Sequence, residues 1–303
     1  TNATPGIDNG GFYAGSNTQK VTFDGNNNQE IAGSGTNLTN FANVTVNSEG
    51  SVELQENSTI RINGDLNLSG GELIDGGNAI ELTGDVINTA THSSPNTAGG
   101  IKFTGSTNQR ISGIGGVFGN IIMDNYSGVS LEDKTTIEGI LTFNKGSIYV
   151  DDYRLTFGEN ASIGGSPGVI NMIVLNGALS DRGVEKEFGT GASSFTMPIG
   201  VSGKYTPATY DISVNSDPGS IIVRPVNRRH PAVVEPDSTE LNYYWKVDSI
   251  GLGDDLKLSH TYKYVEEDVK TEGGINESEY HVGLYRTHDY EWVDLGDSGV
   301  PGE

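Results

Sequence analysis

"VTFDGNNNQEIAGSG" fills residues 21–35, and "IKFTGSTNQRISGIG" fills 101–115. Aligned without gaps, they agree at Phe23/Phe103, Gly25/Gly105, Asn28/Asn108, Gln29/Gln109, Ile31/Ile111, Gly33/Gly113 and Gly35/Gly115. Internal repetition is weighed first because it can decide the whole fold. The likeness continues downstream, where "INGDLNLSGGEL" (62–73) echoes "IEGILTFNKGSI" (137–148). Two copies result, over about 21–97 and 101–165.

Inside each copy the apolar residues come in alternating pairs. The first copy has Val44/Val46, Val52/Leu54, Ile60/Ile62, Leu66/Leu68 and Ile80/Leu82. The second has Val129/Leu131, Leu141/Phe143, Ile148/Val150 and Leu155/Phe157. Period-two alternation puts both members of a pair on one side of a strand. Three strands so spaced make a coil of roughly 20 residues, a scale at which solenoids repeat. Stacked coils would bury one continuous core, each touching only its neighbours. Tandem immunoglobulin-like sandwiches also repeat near this length, but their strands and loops vary more. The uniform spacing favours a parallel β-helix over residues 1–175. The matched Asn and Gln suit stacked amide ladders between coils. The alternative is that Asn28 and Asn108 are simply turn residues.

Beyond about residue 175 the strands lengthen. "TPATYDISVN" (206–215), "LNYYWKVDSI" (241–250) and "LKLSHTYKYV" (256–265) alternate cleanly and are separated by real loops. Both Trp residues fall here. This segment, 176–303, is expected to be an antiparallel immunoglobulin-like β-sandwich with its own core, with Trp245 buried on the Tyr243/Trp245/Val247 face. The fold class is therefore all-β, a parallel β-helix (solenoid) followed by a sandwich.

The composition limits function. The formal charge is −22, and it splits evenly, with 7 basic and 18 acidic residues before position 165 and 11 and 22 after it. A surface acidic throughout argues against nucleic acid, which needs a basic footprint. It argues equally against anionic membranes. The most apolar run, "GVINMIVLNGAL" (168–179), is too short to span a bilayer. With no Cys there is no thiol nucleophile and no disulfide, which leaves an extracellular location open. The chain opens "TNATPGIDNG", which reads as a mature or excised piece.

Three stretches together resemble the cell-surface proteins of Bacteroidota exported by the type IX secretion system. They are the repeated F-x-G-x-x-N-Q-x-I-x-G with "NVTVNSEGSVEL", then "SFTMPIGVSGKYTPATYDI" (194–212), then "YYWKVDSI" with "VGLYRTHDYEWVDLG". The resemblance implies a secreted, multi-domain adhesin or stalk built of β-helical and immunoglobulin-like modules. It carries over no catalytic residue.

Candidate chemistry is sparse. His92, His230, His260, His281 and His288 show no zinc-ligand spacing, and no G-x-S-x-G elbow occurs. Among the acidic pairs, Asp254 and Asp255 in "DDLKL" are the candidate ligands for calcium, the ion that such hard oxygens take. The plainer reading of every such pair is as solvated turn acids. Asp75, Asp85, Asp124 and Asp133 lie at turns, and an enzyme would need such acids to converge from neighbouring rungs. "NRRHP" (227–231) is the one basic knot, suited to an anionic sugar or a neighbouring domain's acids. Tyr244 and Tyr285 are candidates for stacking on sugar rings. The sequence thus reads as a non-catalytic extracellular structural or adhesive segment of a bacterial surface protein. Its expected partners are surface glycans or neighbouring domains. A polysaccharide lyase or hydrolase and a glycan-binding module are the alternatives.

Overall fold

The computed structural model describes residues 18–32, 39–95, 97–233, 240–269 and 280–297. Gly33 and Gly35 of the first phrase lie outside them. The described residues form β-strands throughout, with a single helical turn at Glu266–Asp268. None makes a helix long and apolar enough to cross a membrane.

The chain winds as a three-faced β-solenoid of about seven turns. One face is a seven-stranded parallel sheet, running from Thr39–Phe41 through Ile60–Ile62, Ala79–Leu82, Gly100–Phe103, Ile121–Asp124 and Ile140–Lys145 to Ser162–Gly165. Register across it is unbroken at the inward positions. Thr39, Ile60, Ile80, Ile101, Ile121, Leu141 and Ile163 form one column. Phe41, Ile62, Leu82, Phe103, Met123 and Phe143 form the other. These registers step by 20–22 residues per coil. At about 4.8 Å per strand, the seven strands of this face stack roughly 29 Å high.

The second face stacks 20–23 on 43–46, 66–68 and 86–88, and the third stacks 29–31 on 52–54 and 72–74. Every apolar pair singled out above, from Val44/Val46 to Leu155/Phe157, is buried. Each such Val, Ile or Leu contributes about 1.5–3 kcal/mol by leaving water, set against the entropy of ordering the chain.

The repeated phrase makes the same local device twice. Gln29 Oε1 takes the Gly25 N–H at 3.0 Å, and Gln109 Oε1 takes the Gly105 N–H at 2.8 Å. A Cβ on either glycine would stand within 2.9 Å of that glutamine side chain, so a larger residue there would have to push the amide out of this position. Asn28 and Asn108 reach the next coil. Asn28 Oδ1 accepts from Ser51 N–H, and Asn108 Oδ1 accepts from the Ser130 hydroxyl. Bonds to the next coil's backbone and hydroxyls thus replace most of the expected amide stacking, with Asn125 Nδ2 to Gln109 Oε1 (3.0 Å) the amide-to-amide contact.

The two copies nevertheless sit on different faces. Phe23 pairs with Val46 on the second face, whereas Phe103 pairs with Met123 on the first. From 20–23 up to the strand at Gly100 the described residues lay down eleven strand segments, the strands Asn43–Leu54 and Leu66–Ile74 each crossing two faces. Eleven is one short of four complete three-sided coils.

The first face ends at Ser162–Gly165, where Gly165 (φ 78°) replaces the apolar residue of its column. The other two faces continue. Ile173–Leu175 and Ile199–Val201 stack in parallel on the second, and Val184–Phe188 on the third. The third face then turns antiparallel through Gly219–Val226 and Tyr244–Ile250. A three-stranded antiparallel sheet (Ser193–Met197, Ala208–Val214, Lys257–Tyr262) and the hairpin His281–Arg286/Glu291–Asp297 complete the described chain. Among the described residues the expected separate core is not seen. Phe195, Met197, Tyr210 and Ile212 belong to one apolar cluster with the solenoid interior, with the rings of Phe157 and Phe195 5.3 Å apart. Trp245 is half-buried, stacked on Tyr262 at 4.9 Å, and Val247 on the same face is exposed.

Candidate functional site

The acids flagged at turns do not converge. Asp75 is fully buried inside the solenoid. Asp85 accepts from the Arg110 backbone N–H and from its guanidinium, at 2.7–2.9 Å. Asp124 lies between Lys102 (3.2 Å) and Lys145 (2.7 Å). Asp133 takes the Gly113 N–H at 3.0 Å. Each is committed to a neighbouring coil.

Asp85 also belongs to a corner ladder. Asn43 Oδ1 takes the Asp65 N–H, Asp65 Oδ1 takes the Asp85 N–H, and Asp85 Oδ1 takes the Arg110 N–H, each at 2.9 Å. Short oxygen-bearing side chains at corners thereby satisfy backbone donors that would otherwise lose their partners.

The outer column of the first face carries alternating charge. Arg61, Glu81 and Lys102 occupy adjacent rungs, with Arg61 2.6 Å and Lys102 3.7 Å from Glu81. Asp124 and Lys145 extend the series. Burial pushes the Asp124 carboxyl up, but hydrogen bonds from Lys145 and Lys102 outweigh it and hold the group below the usual range.

His92 projects into the lumen in register with Leu73. Its Nδ1 accepts the Gly119 N–H at 3.3 Å, so the proton sits on Nε2, which lies 3.3 Å from Asp75. The Ser94 hydroxyl donates to the same carboxylate. Serine bonded to aspartate, with no bond to histidine, is not an activated nucleophile. Both His92 and Asp75 are also sealed from solvent.

Lys186 is another buried charge, as are Asp181, Arg224 and Asp268, and alternation alone would have marked it as unusual. In "VEKEF" (184–188) Val184, Lys186 and Phe188 point inward. Lys186 follows Phe157 in register, and its Nζ donates to Gly158 O (2.6 Å) and Glu159 O (2.7 Å). The Phe188 and Phe195 rings flank it at 5.5 and 5.0 Å. Since the first face has no further strand above this corner among the described residues, the ammonium supplies donors to the two corner carbonyls. Burial pushes its pKa down to about 8.

The calcium candidates Asp254 and Asp255 are both exposed, and Asp255 Oδ1 takes the Ser216 N–H at 3.0 Å. Among the described residues no group of three or more His, Asp or Glu side chains is placed to hold a metal ion. Of the remaining histidines, His260 is half-buried beside Tyr262, while His281 and His288 pair with Asp294 (3.0 Å) and Asp289 (2.7 Å).

The "NRRHP" knot and the flagged tyrosines do come together. His230 is 4.7 Å from Tyr244, 4.9 Å from Tyr285 and 5.0 Å from Trp292, centroid to centroid. Burial, and then the Arg228 charge, push the His230 pKa down. Trp292, which sequence reading passed over, donates its Nε1–H to Ala232 O at 3.4 Å and stays substantially exposed. Arg229 pairs with Glu240 at 2.7 Å. Arg228 instead lines an open recess with Gly177, Ala178, Leu179 and Ser180. The recess offers a cation and an apolar wall, and the ring cluster stands two residues farther along the same loop, at His230. No protein-family description, curated protein or solved structure matches this chain.

Proposed function

We propose that the chain is a non-catalytic structural or adhesive segment of a bacterial surface protein, held outside the cell. The observation that carries the reading is the run of about seven coils on one continuous core, with side chains and ion pairs tying each rung to the next. Such a stack is a stiff spacer by construction, since every coil is clamped by two neighbours. The acidic exterior repels like copies and favours an extended, soluble stalk. The small antiparallel sheets after the solenoid would be the start of an immunoglobulin-like module joining the rod to its next domain. The resemblance to type IX-exported proteins supplies the surface setting.

A polysaccharide-cleaving β-helix would need several acids on one exposed face, and the four turn acids point to separate neighbours. The test is a panel of plant and algal polysaccharides incubated with the whole chain. No release of reducing or unsaturated ends is expected. Release that is lost on an Asp→Asn change would overturn the reading in favour of an enzyme. Antibody labelling of intact native cells checks the location, with labelling only after lysis as the contrary result.

A further inference from the structure

The recess beside Arg228 has the makings of a ligand site that the rod reading does not use. It is an open recess of about 630 Å³ between Arg228 and the loop 177–180. Leu179, 44% exposed, gives it an apolar wall.

Arg228 is a cation without employment. Arg61, Arg110, Arg154, Arg224 and Arg229 each hold a carboxylate of the protein itself, whereas the exposed Arg182 and Arg286 share with Arg228 the lack of an ion pair among the described residues. The Arg228 guanidinium is exposed and has no hydrogen bond or ion pair among the described residues. In a chain of net charge −22, a guanidinium left free beside so many acids is available to an outside anion.

Its backbone, by contrast, is fixed. Asn227 N–H donates to Gly177 O (3.0 Å), Asn227 Oδ1 accepts from Lys204 Nζ (3.1 Å), and Arg228 N–H donates to Val226 O (3.0 Å). The cation is thus presented from an ordered loop, which lowers the entropic cost of capture. Two residues on, His230 holds Tyr244, Tyr285 and Trp292 around it. Trp292 is anchored through its N–H with 42% of its surface open, and Tyr290 on the same hairpin is 81% exposed. Burial, and then the Arg228 charge, disfavour a proton on His230.

We propose that this surface binds an anionic saccharide, its carboxylate or sulfate on Arg228 and a sugar face against the exposed rings beside His230. A guanidinium fork matches either anion in bidentate geometry, and the aromatic faces take the C–H side of a sugar.

The test is calorimetric titration of the whole chain at low salt. The probes are trigalacturonic acid, a chondroitin sulfate tetrasaccharide, neutral cellotriose and sodium sulfate at matched ionic strength. One or both charged sugars are expected to bind saturably, and at least tenfold tighter than cellotriose or sulfate. R228Q should weaken that binding about tenfold or more, and R228K by less, because lysine keeps the charge and loses the fork. Since Arg228 is exposed and unpaired, R228Q should fold as wild type, which circular dichroism checks. Four outcomes would each overturn the site: no saturable binding of either charged sugar below about 10 mM, equal binding of cellotriose, sodium sulfate matching the sugars, or unchanged affinity in R228Q. None of them bears on catalysis or location, so the rod reading stands or falls separately.

Discussion

Replacing Lys186 with methionine isolates the contribution of a buried charge. The folded-state pKa is about 8 against an ordinary 10.5, with burial as the cause. The fold therefore prefers the neutral amine. Below about pH 8 both folded and unfolded chains are protonated, and the ammonium must be accommodated in the core. Between about 8 and 10.5 the unfolded chain holds the proton and the folded chain does not, so stability rises with pH across that window. The difference of about 2.5 units corresponds to about 3 kcal/mol at 1.36 kcal/mol per unit.

Methionine removes this dependence while filling similar space. It also leaves Gly158 O and Glu159 O without the donors they have now, at about 1–3 kcal/mol for each bare acceptor. At pH 7 that loss and the relief of the buried charge are similar in size, so K186M should lie within about 2 kcal/mol of wild type. By pH 10.5 wild type should have gained about 3 kcal/mol relative to the variant. Urea unfolding of both proteins at pH 7, 8.5 and 10 measures this, and taking the difference cancels the tyrosines and surface lysines common to both. A wild-type-minus-variant difference that stays flat from pH 7 to 10 would refute the account of Lys186.

Three further outcomes are expected. Gln109→Ala removes a buried side chain bonded to Gly105 N–H, Leu82 O and Asn125, and should cost about 2–4 kcal/mol in urea unfolding, whereas Gln29→Ala at the half-buried first copy should cost under about 1. Glu81→Gln breaks the charge column at partly exposed pairs and should cost about 1 kcal/mol or less, shrinking in 1 M salt; a loss that salt leaves untouched would contradict it. Trp245→Ala should cost about 2–3 kcal/mol, less than a fully enclosed tryptophan, because it removes the ring on Tyr262 and the bond to Thr206 O while the site is already half open.

The solenoid itself was legible because burial in a strand has period two and every coil repeats the demand. Each alternating pair reports its own inward face without reference to any other part of the chain, which is why Val44/Val46 through Leu155/Phe157 are all interior. The position of a segment around the axis was not legible. It depends on how many segments precede it, and Phe23 and Phe103 share a motif while serving different faces. The same limit hid the shared core. Phe195 and Tyr210 look like sandwich residues locally, but the solenoid's open end gives them a ready apolar surface to cover. Lys186 was readable in principle, as the one cation on the inward side of "VEKEF". The cluster at His230 was only half readable. Its tyrosines and basic knot carried a signal, whereas the link from His230 to Trp292 spans 62 positions and no local pattern reports it.

The count of eleven segments has a consequence for partners. Because eleven is not a multiple of three, copying the block moved every outward side chain roughly a third of a turn in azimuth as well as up the axis. Equivalent residues of the two copies therefore look out over different flanks. A flat partner lying along the rod meets one copy of any surface group and never its duplicate, so the duplication by itself creates no avidity toward a planar surface. A flexible chain that winds around the rod would meet both. The same offset frees the two copies to diverge on the outside while the inward alternation, shared by all three faces, continues to hold them in the stack.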